Sequence, residues 1–414
     1  MKRALSWLPL FVLATLPAAS QEAALDRAEQ ALSWTTPDGV VRARLAGLLD
    51  LEGFVVPHPA PALIDTEGHA LFSPRLSLFL DAQAGEHLYG FLQARGDRGF
   101  DPSDGPVTAR LDEYALRYRW GGETRAAVQV GKFATVVGNW TNRHDSWQNP
   151  FVTAPLVYES LTGIWDTEQP RSVGQLLSWS HLRTPSNPAM LEHDKYVRVP
   201  VIWGPSYATG VSVAVVSGKL GGTVEVKNAS LSSRPETWRS SGRSWNHPTL
   251  SGRFRIRPSE AWEVGWSASS GSYLRPNAIA LNPGRTRGAY RQTVVAQDVS
   301  YSRRHLQLWA EVFAARYRIP EIGNADLIGF YLESKYRFTP RFSGAVRWNQ
   351  QLFGTLNENG RDMRWGRDTW RIDAAPEFRI DPHTQLKLQY SVQRGADDRK
   401  GLAHTLALQA TLKL

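Results

Sequence analysis

The last ten residues, "TLALQATLKL" at Thr405–Leu414, follow a strict alternation in which every second residue, from Leu406 to Leu414, is apolar. The residues between them are small or polar. A period of two is typical of a β-strand with one face toward an apolar environment and the other toward water. The pattern therefore predicts that the chain ends in a paired strand and not in a frayed tail.

The same alternation recurs along the chain from Val40 onwards. It is clearest in six stretches: RLSLFLDAQAG from Arg75, GRFRIRP from Gly252, LIGFYLESKYRF from Leu327, FSGAVRWNQQL from Phe342, TWRIDAAPEFRI from Thr369 and QLKLQYSVQRG from Gln385. Many of these strands reach ten residues, whereas strands of soluble proteins usually have about five or six. Their second face is rich in Arg, Lys, Gln, Asp and Glu. Long strands of this kind fit a barrel whose outside meets lipid and whose inside meets water.

Composition narrows the classes further. The chain of 414 residues has no Cys and a formal charge of +9. Its Lys and Arg are spread along the sequence and form no basic block, which argues against a nucleic-acid partner. No apolar run of about 18 residues follows the N-terminal stretch, so we expect no transmembrane helix.

The N-terminus predicts export. "MKRALSWLPLFVLATLPAASQ" combines the basic Lys2 and Arg3, an apolar stretch and small residues before Ser20, as in a signal peptide cleaved after that serine. Loss of the two basic residues lowers the formal charge from +9 to +7. The predicted segments are a signal peptide at 1–20, a short periplasmic segment at 21–39 with a helix over Glu22–Trp34, and a transmembrane β-barrel at 40–414 in the bacterial outer membrane.

Short and long links alternate between the predicted strands, as periplasmic turns and external loops do in outer-membrane barrels. Five strands precede about residue 135 and eleven follow about residue 207. The fold class is therefore an all-β, antiparallel transmembrane barrel of about sixteen strands, with the last strand paired to the first so that no sheet edge meets lipid. The stretch 135–207, here called the insert, holds two strand-like pieces, Val173–His181 and Lys195–Gly204. If both cross the membrane, the count is eighteen.

The insert is aromatic, contains proline and lacks a regular period. In a wide barrel such a segment can fold into the lumen and narrow it; the alternative is an external loop packed on its neighbours. The residues that would form the constriction are Asn139, Trp140, Arg143, His144, Asp145, Trp147, Asn149 and Tyr158.

A second group of candidates follows from the alternation, which turns many basic side chains toward the lumen. They are Arg95, Arg117, Arg119, Arg253, Arg255, Arg257, Lys335, Arg337, Arg347, Arg371, Arg379 and Lys387. Arg and Lys that line a pore favour anions. Inward acids could cancel these charges: Asp81, Glu113, Glu263, Glu311, Glu333, Asp373 and Glu377. The positive net charge leads us to predict a preference for anions.

Catalytic and metal-binding motifs give no competing signal. The adjacent His144, Asp145 and Ser146 cannot form a catalytic triad with one another, because the members of a triad are brought together by the fold. No pattern of a metal site, nucleophile elbow or phosphate loop occurs in the sequence. We therefore predict no cofactor, no metal and no enzymatic activity.

The signal peptide, the alternating strands, the long insert after the fifth strand and the basic lumen resemble bacterial outer-membrane porins, above all the group described as phosphate-selective porin O and P-like. The resemblance covers nearly the whole mature chain and implies sixteen strands, an inward-folded third loop and a homotrimer. No phosphate-binding motif is matched, so phosphate specificity is not carried over. Many such barrels end in Phe, whereas this chain ends in Leu414.

The expected function is passive diffusion of small hydrophilic solutes, with anions preferred, through a barrel embedded in outer-membrane lipid. One alternative is a carbohydrate porin, in which the lumen aromatics Tyr89, Phe91, Trp309 and Phe313 would stack on sugar rings. A barrel enzyme is a weaker alternative, because the His residues are few and scattered.

Overall fold

The computed structural model describes residues 18–58, 60–100, 102–180, 197–235, 245–278, 281, 283–395 and 401–414. Sixteen strands form one antiparallel barrel and are numbered β1 to β16 along the chain. Their bounds are Val41–Val55, Ala70–Ala84, Leu88–Asp97, Thr108–Trp120, Thr124–Phe133, Ala208–Ser217, Leu220–Lys227, Thr249–Ser259, Trp262–Ser272, Arg291–Arg303, Leu306–Ile319, Gly323–Arg337, Phe342–Phe353, Thr369–Arg379, Thr384–Arg394 and Ala403–Lys413.

The last strand closes the barrel, as its alternation predicts. β16 pairs antiparallel with β1, from Leu406 opposite Val55 to Lys413 opposite Leu48. Every other strand pairs with its neighbours in sequence. Closure satisfies the backbone groups of both end strands, which would otherwise be unpaired in lipid. The predicted count of sixteen is confirmed.

The two faces of each strand differ as the sequence predicts. In β12 the inward Tyr331 and Glu333 are buried, whereas the outward Ile328 and Leu332 are 49% and 48% exposed. Outward aromatic rings gather near strand ends, where Trp262 packs on Tyr301 with ring centroids 4.7 Å apart. This arrangement matches a barrel with an apolar outer wall and a polar lumen.

The rims of the barrel are unequal. Seven links of two to four residues lie at one rim, here called the turn end, and all the longer links lie at the other, here called the loop end. One link at the loop end is also short, because β11 and β12 leave only residues 320–322 between them. A two-stranded hairpin of Thr355–Glu358 and Arg361–Arg364 projects at the loop end.

A helix, α1 (Ala18–Ala31), precedes the barrel, and the short strand Ser33–Thr35 folds back on the start of β1. The helix predicted over Glu22–Trp34 therefore starts earlier and ends earlier. Residues 1–17 lie outside the described residues, so the signal peptide and its cleavage stay predictions. In the part of the chain that the structure describes, no helix has the length and apolar character needed to cross a membrane.

The insert joins β5 to β6, and its described residues contain a 3-10 helix at Trp140–Arg143 and two short α-helices, α2 (Leu156–Glu159) and α3 (Val173–Ser180). The strand expected at Val173–His181 is wrong, because Val173–Ser180 forms α3. His181, like residues 195 and 196 of the second predicted piece, lies outside the described residues. Val173, Leu176 and Leu177 are buried at helical spacing, and the Ser172 hydroxyl accepts a hydrogen bond from the Gln175 amide as an N-cap. Residues 197–204 form no strand and make one bridge, Trp165 to Arg198. The described part of neither piece is a strand of the barrel.

Candidate functional site

The insert lies inside the barrel, against inward side chains of many strands. At its start, the Thr135 hydroxyl donates to Glu225 of β7 (2.8 Å) and the Gly138 amide donates to Ser267 of β9 (3.2 Å). Further along, the Val152 amide donates to Gln389 of β15 (2.7 Å). A segment that bonds strands on opposite sides of the barrel must cross the lumen.

Glu311 of β11 is the first main anchor of the insert. Its carboxylate accepts hydrogen bonds from the backbone amides of Asn139 (2.7 Å) and Trp140 (2.6 Å) and from the hydroxyl of Tyr158 (2.6 Å). The hydroxyl of Tyr331 in β12 supplies a fourth bond at 2.8 Å. One buried carboxylate therefore joins the first turn of the insert to α2.

Two arginines of β13 and β14 form the second anchor. Arg371 pairs with Glu159 of α2 and, at 3.0 Å, with Asp373. Arg347 also pairs with Asp373 (2.9 Å) and donates to the backbone carbonyl of Ala154 (3.1 Å). Both arginines are at most 4% exposed, so the insert covers these two predicted pore-lining residues.

A third anchor lies at β15. Lys387 is 1% exposed and donates to the backbone carbonyls of Ser146 and Asn149 and to Gln409 (3.1 Å). It holds the turn around Trp147 against the barrel wall. This predicted pore-lining cation is therefore occupied with the insert.

Apolar packing completes the attachment. Tyr158 lies between Trp140, 4.7 Å away by ring centroids, and Phe313, 5.8 Å away. A continuous buried cluster joins the insert to inward residues of β10 to β13. Near the loop end Trp165 and Trp179 stack at 4.3 Å. The insert is thus a packed partition of the lumen and not a loose loop.

The eight predicted constriction residues fall into two groups. Four are buried and serve as attachments: Trp140, Arg143, Asn149 and Tyr158. The other four are half-buried and border the remaining lumen: Asn139, His144, Asp145 and Trp147. Among the eight, only the side chains of this second group are partly exposed.

His144 faces the wall formed by β3 and β4. Its Nδ1 lies 2.6 Å from the backbone carbonyl of Thr141, and its Nε2 lies 2.7 Å from the hydroxyl of Tyr207. A neutral ring with the proton on Nδ1 satisfies both contacts. Burial, together with the nearby positive charge of Arg95, lowers the pKa of His144 below its ordinary value of 6.5.

The twelve predicted basic residues also fall into two groups: those with a carboxylate oxygen within 4.0 Å of a side-chain nitrogen, and those without one. Within the described residues, seven have such a partner: Arg95, Arg253, Arg255, Arg257, Lys335, Arg347 and Arg371. The other five have none there: Arg117, Arg119, Arg337, Arg379 and Lys387. Inward acids thus compensate most, but not all, of the predicted positive lumen.

The five basic residues without a carboxylate share one location. Each lies in the half of its strand next to the short turns: Arg117 and Arg119 in β4, Arg337 in β12, Arg379 in β14 and Lys387 in β15. Lys387 is occupied with the insert, and the remaining four arginines are half-buried or exposed. The uncompensated charge therefore gathers at the turn end.

The sequence interpretation missed a second charged wall on β1 to β4. Arg75 pairs with Asp50 (3.1 Å) and Glu52 (2.5 Å), and Arg110 pairs with Asp97 and with Asp112 (2.8 Å). Alternation could have found Arg75, which shares a face with Ser77. Alternation could not predict which face of β4 carries Arg110, because a β-bulge in β4 shifts its register opposite Gln93 and Ala94 of β3.

The aromatic candidates of the carbohydrate alternative are not equally open. Phe313 is fully buried under the insert, and the guanidinium of Arg143 lies 4.3 Å from the ring of Trp309. Tyr89 and Phe91 are half-buried, with the Arg117 guanidinium 5.6 Å and 5.8 Å from their centroids. The four rings do not form one exposed stacking surface.

Among the described residues, no group of three or more His, Cys, Asp or Glu is arranged to hold a metal ion. That the protein works without a cofactor and is not an enzyme stays a prediction.

No protein-family model matches the chain, and no curated protein sequence matches it. Solved structures do. The outer-membrane channel DcaP of Acinetobacter baumannii matches with a TM-score of 0.54 and 10% identity over 92% of this chain and 99% of its own. An anion-selective porin from Comamonas acidovorans matches with a TM-score of 0.53 and 9% identity over 90% of this chain and 100% of its own. A trimer form of OmpT, an outer-membrane protein of Vibrio cholerae, matches with a TM-score of 0.53 and 9% identity over 91% of this chain and 100% of its own.

These similarities concern the fold. The chain has the sixteen-stranded barrel of outer-membrane porins, and the neighbours cover nearly all of it. At these identities no residue-level role is transferred. The resemblance to the phosphate-selective O and P-like group in particular stays a prediction.

Proposed function

We propose that the protein is an outer-membrane channel for passive diffusion of small hydrophilic solutes, with a preference for anions. The observation that carries the proposal is the separation of charge in the lumen. Around the insert, the arginines are paired with carboxylates and Lys387 with backbone carbonyls. By contrast, Arg119, Arg337 and two further arginines at the turn end have no carboxylate within 4.0 Å among the described residues.

The physical reason is the range of each arrangement. The field of an ion pair a few ångströms long falls off quickly, and at physiological salt the Debye length is about 8 Å. An unpaired guanidinium keeps its field and its charge at every physiological pH. Several of them around one mouth attract anions and repel cations, as basic residues do in anion pores.

The insert would set the size limit. Its three anchors, Glu311, the pair Arg347 and Arg371, and Lys387, fix it to the wall of β11 to β15. The bond from Thr135 to Glu225 fixes its start to β7, on the opposite side of the barrel. The half-buried Asn139, His144, Asp145 and Trp147 would then face the passing solute. The solute would need no bond to be made or broken.

The comparisons support this reading, since two similar structures are an outer-membrane channel and an anion-selective porin. The predicted signal peptide and the apolar outer wall favour the bacterial outer membrane, with its lipid as partner. A homotrimer is part of the proposal, because the similar OmpT structure is a trimer form.

Planar-bilayer recording across a salt gradient tests the proposal. We expect stepwise conductance and a reversal potential on the side of chloride. Arg119→Gln combined with Arg337→Gln should move the reversal potential toward zero. Arg316→Gln is the matched control, because Arg316 pairs with Asp326 on the outer face, where both side chains are about half exposed. Stable insertion without conductance, or a preference for cations, would refute the proposal.

A further inference from the structure

Two inward side chains at the turn end leave hydrogen-bond donors unused. Arg379 of β14 and Gln385 of β15 are cross-strand neighbours, and Arg379 Nη2 donates to Gln385 Oε1 at 3.3 Å. This bond fixes the orientation of the amide, so that Gln385 Nε2 points elsewhere. Within the described part of the chain, Gln385 Nε2 and Arg379 Nε are buried without an acceptor. Gln385 is 0% exposed.

A buried donor without an acceptor costs about 1–3 kcal/mol. Such a group in a native structure indicates an acceptor supplied from outside the chain, as water or as a ligand.

Two cations and an indole complete the surroundings of these donors. The Arg379 guanidinium lies 4.9 Å from the centroid of the Trp147 ring, and the Lys413 ammonium lies 5.4 Å from it. Neither cation has a carboxylate within 4.0 Å in the described residues. Both can therefore pair with an anion that enters beside the ring.

The cluster is held rigidly from two sides. Lys387 binds the backbone carbonyls of Ser146 and Asn149 on either side of Trp147. His383, 3% exposed, contacts the backbone carbonyl of Lys413 through Nδ1 at 2.9 Å. Positions fixed in this way lose little entropy when a ligand binds.

The nearby acids are already occupied. Glu377 pairs with Lys335 at 2.7 Å, and Asp26 of α1 lies 2.9 Å from His383 Nε2. The Asp145 carboxylate accepts from the backbone amides of Trp147 (3.0 Å) and Gln148 (2.9 Å). None of them uses the open donors of Arg379 and Gln385.

We propose that Arg379, Gln385, Lys413 and Trp147 form a binding site for a small oxyanion, a phosphate or a carboxylate, at the turn end of the lumen. The site offers N–H donors and positive charge to oxygen lone pairs, and a guanidinium fork matches two oxygens at once. The inference rests on the proposed function only in that the bound oxyanion would be a solute in transit.

Equilibrium binding tests the site without relying on conductance. The folded full-length protein, in a detergent that carries no phosphate group, is titrated with inorganic phosphate and separately with acetate in a calorimeter. Sodium chloride serves as the baseline. We expect saturable binding of one oxyanion per chain, stronger than that of chloride.

Three variants separate a built site from diffuse attraction. Arg379→Gln should weaken binding about tenfold, the usual effect of losing one hydrogen bond to a charged group. Gln385→Leu leaves the net charge unchanged and should weaken binding several-fold. Arg119→Gln removes the same charge from β4, outside the site, and should weaken binding far less than Arg379→Gln does. If Gln385→Leu does not fold, the comparison of Arg379→Gln with Arg119→Gln tests the site, because Arg379 is only half-buried.

The outcomes are distinct from those of the channel experiment. Absence of saturable binding would overturn the site even if the protein conducts anions. An equal loss of affinity in Arg119→Gln and Arg379→Gln would also overturn it, because diffuse charge would then suffice. Binding with the expected variant pattern in a protein that does not conduct would support the site and refute the channel.

Discussion

Replacing Glu311 by alanine should release the first turn of the insert. The carboxylate is buried and is the common acceptor for two backbone amides of the insert and for the hydroxyls of Tyr158 and Tyr331. Each donor left unsatisfied costs about 1–3 kcal/mol. Removal of a buried charge recovers part of this sum, so the expected net loss is about 3–5 kcal/mol. That loss raises the released population roughly a hundredfold or more.

The assay follows directly from the structure. Arg143 is a trypsin site that is buried in the closed insert, where it donates to Glu333 (2.5 Å) and to the hydroxyl of Tyr331 (3.1 Å). In Glu311→Ala we expect faster cleavage after Arg143 in the membrane-inserted protein, together with a larger and noisier single-channel conductance. Mass spectrometry of the fragments measures the first effect, and bilayer recording measures the second.

Two variants serve as controls. Glu311→Gln keeps one oxygen acceptor for the amides of Asn139 and Trp140 and should lie between wild type and Glu311→Ala. Asp326→Ala removes an exposed carboxylate whose ion pair contributes about 0–1 kcal/mol and should behave as wild type. If Glu311→Ala keeps both the wild-type conductance and the protection of Arg143, Glu311 does not anchor the insert.

Three further outcomes are expected. Gly138→Ala should resemble Glu311→Ala in the trypsin assay, because Gly138 has φ +77° and a Cβ would collide with the Tyr158 hydroxyl; unchanged protection would contradict this. The pKa of His144 is lowered in the folded protein, so that as the pH falls the unfolded chain takes up this proton at a higher pH than the folded chain does. Protection of Arg143 from trypsin should therefore weaken as the pH falls below about 6.5. His144→Gln should abolish this pH dependence. The pKa of His383 is raised, because its hydrogen bonds to Asp26 and to the Lys413 carbonyl outweigh the effect of burial. The contact with Asp26 should therefore stabilise the docking of α1 fully below about pH 6.5, and less as the pH rises through the raised pKa. Asp26→Asn should lower that pKa in an NMR titration, and no change would show that the contact does not form.

Much of the fold follows from the sequence because alternation is local. A period of two shows which side chains share a face, and the strands and links indicated five strands before the insert and eleven after it, an even total. The outward Ile328 and Leu332, which are exposed, and the inward Arg347 and Arg371, which are buried, follow this rule. α3 escaped it, since a short apolar run fits a strand or a helix equally well.

The sequence by itself determined that this chain forms a closed barrel with a polar, charged inner face and a long insert after the fifth strand. Only the tertiary structure decided which of the basic residues remain uncompensated. Arg371 meets Glu159 across 212 positions, and Arg143 meets Glu333 across 190. Charge cancels through space over a few ångströms, whereas alternation records only neighbours along the chain. Which four arginines at the turn end lack a carboxylate partner among the described residues is therefore a property of the folded lumen.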